Sequence, residues 1–289
     1  MYQITARGAR APIDAAWDAL AWTDPSPAGA VDAKEDGRGH WRLDAYAETK
    51  EAADACLAII AQHAPDLNPK VEELEDRDWV TLSLEGLPPV EAGPFIVAGS
   101  HVLAKSAPGK IAVLIEAGPA FGTGHHGTTL GCLRALDEVR RAGRIGRVLD
   151  LGTGSGVLAI AALKAGATSA IGTDIDLDSV RVARENAKKN NINGFKALHV
   201  PGANAPMIRQ GAPYDTVFAN ILKRPLVRLA PEITKMTAPG GTVILSGLLH
   251  HQVPLVRNAF ASRGLGYIRR LKEDGWSTLV FRRPEASWL

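Results

Sequence analysis

"VLDLGTGSG", residues 148 to 156, is a short apolar run closed by Asp150 and then by glycines at every second position, 152, 154 and 156. The apolar segment "VLAIAALKAG" follows at once. A strand-length run, a glycine-rich break and a helix-length run make the strand-turn-helix unit of a parallel sheet. Glycines in that break let the chain turn sharply and bring backbone N–H groups against a ligand at the carboxyl edge of the strand.

The spacing narrows the ligand. Dinucleotide sites use G-x-G-x-x-G and set a pyrophosphate on the helix N-terminus. Here the pattern is D-x-G-x-G-x-G. A carboxylate at Asp150 repels a pyrophosphate and suits a ligand with an ammonium group and no phosphate, which describes the methionine end of S-adenosylmethionine. A tight structural turn, or a nicotinamide dinucleotide site, is the competing reading of the glycines alone.

Working outward, strands and helices alternate strictly from about residue 145. "RVLDLG", "SAIGTDI", "KALHV", "YDTVFANIL" and "TVILSGLL" are strands, "LDSVRVARENAKKNN" and "RPLVRLAPEITKMT" are helices, and "APGG" is a turn. This order predicts a doubly wound parallel sheet, with two further antiparallel strands from "YIRRLKEDGWSTLVFRR" at one edge. The next strand ends at Asp174, where a carboxylate accepts hydrogen bonds from both ribose hydroxyls. Asp176 and Asp178 are expected as caps of the helix that follows. Asn220 ends the fourth strand, beside the switch point where ligands bind, and its amide oxygen can orient an amine toward a sulfonium methyl.

Upstream the pattern is different. "YQITARG", "PIDAAWDALAW", "GAVDAKED" with "GHWRLDAYAET", "KEAADACLAIIAQHA" and "PKVEELED" run strand, helix, hairpin, helix, strand. That is the ferredoxin-like order, a small α+β module. The doubled proline at Pro88 and Pro89 marks a connector. The expected division is therefore residues 1–75, a linker over 76–92, and the sheet domain over 93–289.

Composition excludes several classes. No apolar run reaches the ~20 residues of a membrane span, and "MYQITARGAR" has no signal-peptide centre, so a cytoplasmic location is expected. The two cysteines, Cys56 and Cys132, fall on apolar helix faces and are expected as buried thiols. A net charge of +2 conceals an asymmetry: residues 1 to 78 carry 16 acidic and 8 basic side chains, the remainder 15 and 25. An acidic module on a basic body suits steering of a basic partner, and no sequence-specific nucleic-acid binding is expected.

The stretch "GPAFGTGHHGTTLGC", residues 118 to 132, has the glycines of a phosphate loop and two adjacent histidines. It lacks the G-K-[ST] of a P-loop. Adjacent His125 and His126 cannot easily face one ion, and no cysteine or carboxylate nearby completes a set, so no metal is expected. A mobile cover remains, hinged on Gly122 and Gly124 and leading into a helix that Thr128 caps. Phe121 is placed on adenosine or substrate, and Thr129 on the methionine end of the cofactor.

"AFGTGHHGTT" ahead of "VLDLGTGSGVLAIAALKAGA", then "GTDID", "FANILKRPLVRLAPEI", "APGG" and "LSGLL", resembles the PrmA family, the methyltransferases of ribosomal protein L-eleven. The likeness runs from about Gly118 to Leu249. It implies a Rossmann-like class I methyltransferase that transfers methyl groups from S-adenosylmethionine to lysine and amino-terminal amines of that ribosomal protein. The amino-terminal module then recognises the substrate, free or on the ribosome. The family's cofactor residues fall on Thr129, Gly152, Asp174 and Asn220, and its lid histidine on His126. Gly127 departs from the proline or acidic residue of many members, which would loosen the lid. Rival readings are a methyltransferase for a nucleic acid or small molecule, and a non-catalytic S-adenosylmethionine-binding protein. Enzymes acting on bases carry Asn-Pro-Pro and an aromatic where this chain has Asn220, Ile221, Leu222 and Lys223.

Overall fold

A computed structural model of the chain describes residues 1–23, 25–37, 39–73, 89–100, 109–115, 127–203, 205–273 and 275–285. Two compact units follow one another, Met1–Trp79 and Val80–Leu289.

The first unit runs β1 (Tyr2–Gly8), α1 (Arg10–Trp22), β2 (Ala30–Glu35), β3 (Trp41–Ala47), α2 (Lys50–His63) and β4 (Lys70–Glu73). The sheet order is β2-β3-β1-β4, and every neighbouring pair is antiparallel. This is the ferredoxin-like arrangement. Alternation along β1 and β3 buries Ile4, Ala6, Leu43 and Ala45 on the face that meets Ile13, Trp17 and Leu20 of α1 and Cys56 and Ile60 of α2. Thr49 caps α2 by accepting from the Ala52 N–H at 3.2 Å.

The second unit opens with a three-stranded sheet, β5 (Val90–Ala92), β6 (Phe95–Ala98) and β7 (Ile111–Leu114). Val90–Ala92, at the end of the expected linker, is thus a strand paired with β6. Residues 76–88 of that linker lie outside the described residues.

Then come α3 (Gly127–Arg141), β8 (Arg147–Leu151), α4 (Val157–Lys164), β9 (Ser169–Asp174), α5 (Leu177–Lys189), β10 (Phe195–His199), α6 (Pro206–Gly211) and β11 (Tyr214–Asn220). The chain ends with α7 (Lys223–Met236), β12 (Thr237–Leu249), α8 (Val253–Ala261), β13 (Gly266–Glu273) and β14 (Trp276–Arg282). The seven strands are ordered β10-β9-β8-β11-β12-β14-β13, all parallel except β14. This is the doubly wound mixed sheet that the sequence pattern predicts, and β13 and β14 form its antiparallel edge.

Both faces of the central strands are covered, which is why β8 and β11 are mostly apolar and buried, whereas the edge strand β13 is polar and largely exposed. Val148, Phe218 and Ile244 pack with α3 and α4, while Leu149, Val217 and Leu245 pack with α7 and α8. Each such side chain contributes roughly 1.5 to 3 kcal/mol by leaving water. Two expectations change. "APGG" lies within β12, where a register shift opposite Tyr214 and Thr216 absorbs it. Asp176 alone caps α5, accepting from the Asp178 and Ser179 N–H groups, whereas Asp178 sits inside the first turn and pairs with Arg181.

Both cysteines are free and buried. Among the described residues, no helix is long and apolar enough to cross a membrane.

Candidate active site

The carboxyl ends of β8, β9 and β11 meet at one edge of the sheet. After β8 the turn takes positive φ at Gly152 (69°), Gly154 (51°) and Gly156 (82°), and Gly156 stands in left-handed conformation at the start of α4. Side chains rarely adopt that backbone, so the alternate glycines are a steric requirement of the turn. The Gly152 and Thr153 N–H groups both donate to the Thr173 carbonyl, at 2.8 and 2.9 Å, which ties the turn to β9.

Asp174 ends β9, half-buried. Its Oδ2 accepts from the Gly154 N–H at 2.9 Å and its Oδ1 from the Asp176 N–H at 3.1 Å. A carboxylate offers about four lone-pair sites, so roughly two remain for hydroxyl donors. The position therefore fits a vicinal diol such as a ribose.

Asp150 is less exposed than its expected role suggests. It is 1% exposed; Oδ2 accepts from the Thr153 hydroxyl at 2.7 Å, while Oδ1 has no partner. Desolvation pushes its pKa up to about 7, opposed by the Thr153 hydrogen bond and the nearby Ala159 N–H, with Asp174 adding to the rise. The charge that argues against a pyrophosphate is thus only partly present at neutral pH. An orphaned acceptor beneath the glycine turn still favours a cationic ligand over an anionic one.

Asn220, at the end of β11, donates from Nδ2 to the Thr128 hydroxyl oxygen at 3.3 Å. Thr128 was expected as a cap. It lies instead within the first described turn of α3, with its hydroxyl turned to Asn220, and Thr129 beside it is buried. The corner after Asn220 is held tightly. A Cβ on Gly152 would lie 2.3 Å from Ile221 Cγ2, and one on Gly247 2.5 Å from the Ile221 carbonyl oxygen. Gly127 has a packing reason of its own, since a Cβ there would lie 2.7 Å from the Glu273 carbonyl oxygen.

Phe121, Gly122, Gly124, His125 and His126 lie outside the described residues. Two residues that motif reading passed over hold the edges of the site. Asn186 donates to the Ser155 carbonyl at 2.9 Å, supporting the glycine turn from α5. Asn190, one helical turn on, accepts from the Leu114 N–H at 2.9 Å and donates to the Leu114 carbonyl at 2.6 Å, which binds α5 to the end of β7. The signal was present as two asparagines four apart on the apolar side of "RENAKKNN".

The sequence model of the family described as "Ribosomal protein L11 methyltransferase (PrmA)" matches residues 21–284. The chain belongs to this family. A ribosomal protein L11 methyltransferase from a Caulobacter species is 46% identical over 285 residues, 98% of each chain. One from Bradyrhizobium diazoefficiens is 50% identical over 213 residues, 73% of this chain and 72% of that one. Among solved structures, the ribosomal protein L11 methylase of Lactobacillus delbrueckii subsp. bulgaricus is 28% identical, with a TM-score of 0.60, covering 68% of this chain and 99% of that one. Membership of the PrmA family makes the chain an S-adenosylmethionine-dependent methyltransferase.

Proposed function

We infer that the chain methylates lysine side-chain and amino-terminal amines of ribosomal protein L11 in the cytoplasm. The relatives' names supply the substrate, and the Asn220 amide supplies the chemistry. With Nδ2 engaged by Thr128, Oδ1 is the atom left to accept from a substrate N–H. An amine held there by one hydrogen keeps its lone pair for in-line attack on a methyl group. Positioning of this kind supplies much of the rate in a displacement that needs no covalent help.

Bound S-adenosylmethionine supplies an electrophilic methyl and a sulfonium leaving group. The residues assigned to hold it are Asp174 for the ribose, the turn at Gly152, Gly154 and Gly156 with Asp150 beneath it, Thr129 and Asn220, with Phe121, Gly122, Gly124 and His126 as the cover. Ile221, Leu222 and Lys223 after Asn220 provide no planar slot for a base, which favours an alkyl amine. The acidic first unit is assigned to recognise the basic substrate, on the free protein or on the ribosome.

The amine must be neutral to attack. Cationic surroundings lower an amine pKa, and solvent takes the proton. Methylation under single-turnover conditions is therefore expected to rise from neutral to alkaline pH. The assignment is tested by incubating the protein with labelled S-adenosylmethionine and a ribosomal fraction, then weighing the labelled species. Label in a protein of L11 mass supports it; label confined to RNA, or no transfer at all, overturns it.

A further inference from the structure

Ser246 lies in the "LSGLL" stretch that carries the family likeness but has no role assigned to it, and Thr278 belongs to no motif. Ser246, on β12, stands beside Asn220 in the register of β11 and β12 and is 0% exposed. Its hydroxyl donates to the Thr128 carbonyl at 3.2 Å. A hydroxyl has one hydrogen to give, so in the 2.8 Å contact between Ser246 Oγ and Thr278 Oγ1 the donor is Thr278. A directed chain results: Thr278 to Ser246, Ser246 to the Thr128 backbone, and Asn220 to the Thr128 side chain.

Alanine and valine would fill these two interior positions with the same volume. Interior hydroxyls impose a desolvation penalty that only their hydrogen bonds offset. These hydroxyls also sit where α3 approaches the sheet closely, for a Cβ on Gly131 would fall 2.2 Å from Thr278 Oγ1. The two hydroxyls thus meet the first turns of α3 where α3 delivers Thr128 to Asn220.

We propose that Ser246 and Thr278 are positioning residues for methyl transfer. They fix the first turn of α3 so that Thr128 holds the Asn220 amide with Oδ1 offered to the substrate amine. The inference rests on the role assigned to Asn220 above. Removing either hydroxyl lets the turn rotate and the amide swing, which slows the chemical step without changing substrate capture.

The test compares Ser246→Ala, Thr278→Val and Thr278→Ser, each alone and combined with Asn220→Ala, by steady-state methylation of the purified ribosomal protein over a range of its concentrations at saturating cofactor. Ser246→Ala is expected to lower kcat about tenfold with KM within about twofold, and Thr278→Val to follow it. Thr278→Ser restores most of the loss, because the hydroxyl returns. In the Asn220→Ala background Ser246→Ala should change kcat by less than about twofold, since its effect passes through that amide. Equal fractional losses in both backgrounds, no loss in either, or Thr278→Ser as slow as Thr278→Val would each overturn the inference. Thr278→Val keeps the shape of the side chain and so serves if Ser246→Ala does not fold. An inactive parent protein, or Asn220→Ala as fast as the parent, would instead overturn the reading beneath it.

Discussion

Asp150 is the residue whose behaviour departs most from its place in the motif. One oxygen is bound to Thr153, the other is orphaned, and no cation faces it among the causes of its shift. Its folded pKa of about 7 lies above the ordinary value of 3.8. Between those two values the native chain holds a proton that the unfolded chain has released. Stability from this group is therefore greatest below about pH 4, falls as pH rises toward 7, and then levels off, by on the order of a few kcal/mol. Asp150→Asn has the same shape and nothing to titrate. Melting temperatures of parent and variant, followed from pH 5 to 8 without cofactor, should diverge, with the parent losing several degrees relative to the variant as pH rises. Parallel curves would mean that Asp150 is ionised throughout and that water reaches it.

Among the elements, α3 shows most clearly how packing outweighs local preference. Gly131 lies mid-helix, where alanine is favoured by about 1 kcal/mol. Its missing Cβ would lie 2.2 Å from Thr278 Oγ1 and 3.0 Å from Thr278 Cβ, and crowding of that kind costs about 1 to 3 kcal/mol. Since Thr278 is itself buried on β14 and cannot retreat, Gly131→Ala is expected to lower the urea midpoint; a raised midpoint would show that helix and sheet stand further apart. The elements were largely legible in the sequence because their signals are local: apolar runs, alternate glycines, the order of strands. Asp174 and Asn220 were legible too, since each ends a strand that the pattern defines. Ser246 and Thr278 were not, because the partners that give them meaning lie 118 and 32 residues away. Thr128 was misread as a cap for the same reason, and Asp150 as a plain charge because burial is not written in a motif. The three-stranded sheet and α6 escaped notice because strands of three or four residues and a six-residue helix carry too little periodicity to stand out, and the nine-residue α8 was passed over as well.

Over the whole molecule the charge is divided by unit. Residues 1 to 78 hold twice as many acidic as basic side chains, 16 against 8, while the rest of the chain is basic. In the first unit Glu51 and Asp54 of α2 and Glu73 of β4 gather around Tyr2, where desolvation and then these carboxylates raise the phenol pKa. Exposed charges of one sign contribute little to folding but act on an approaching partner over about 10 Å at 0.1 M salt. A basic ribosomal protein should therefore meet this unit faster than diffusion alone allows, and the gain should appear in kcat/KM rather than in kcat. Asp54→Lys, Glu72→Lys and Glu73→Lys, all at exposed positions, leave the core of the unit intact. Glu51 is left unchanged because it stands in the first turn of α2 and supports that helix. The triple variant should lose roughly tenfold in kcat/KM at low salt, keep its kcat, and rejoin the parent near ~0.5 M salt, where screening removes the difference. Steady-state rates across a salt series decide it. Equal rates at low salt would show that the acidic surface does not steer the substrate, and a loss that persists at high salt would place these residues in direct contact with it.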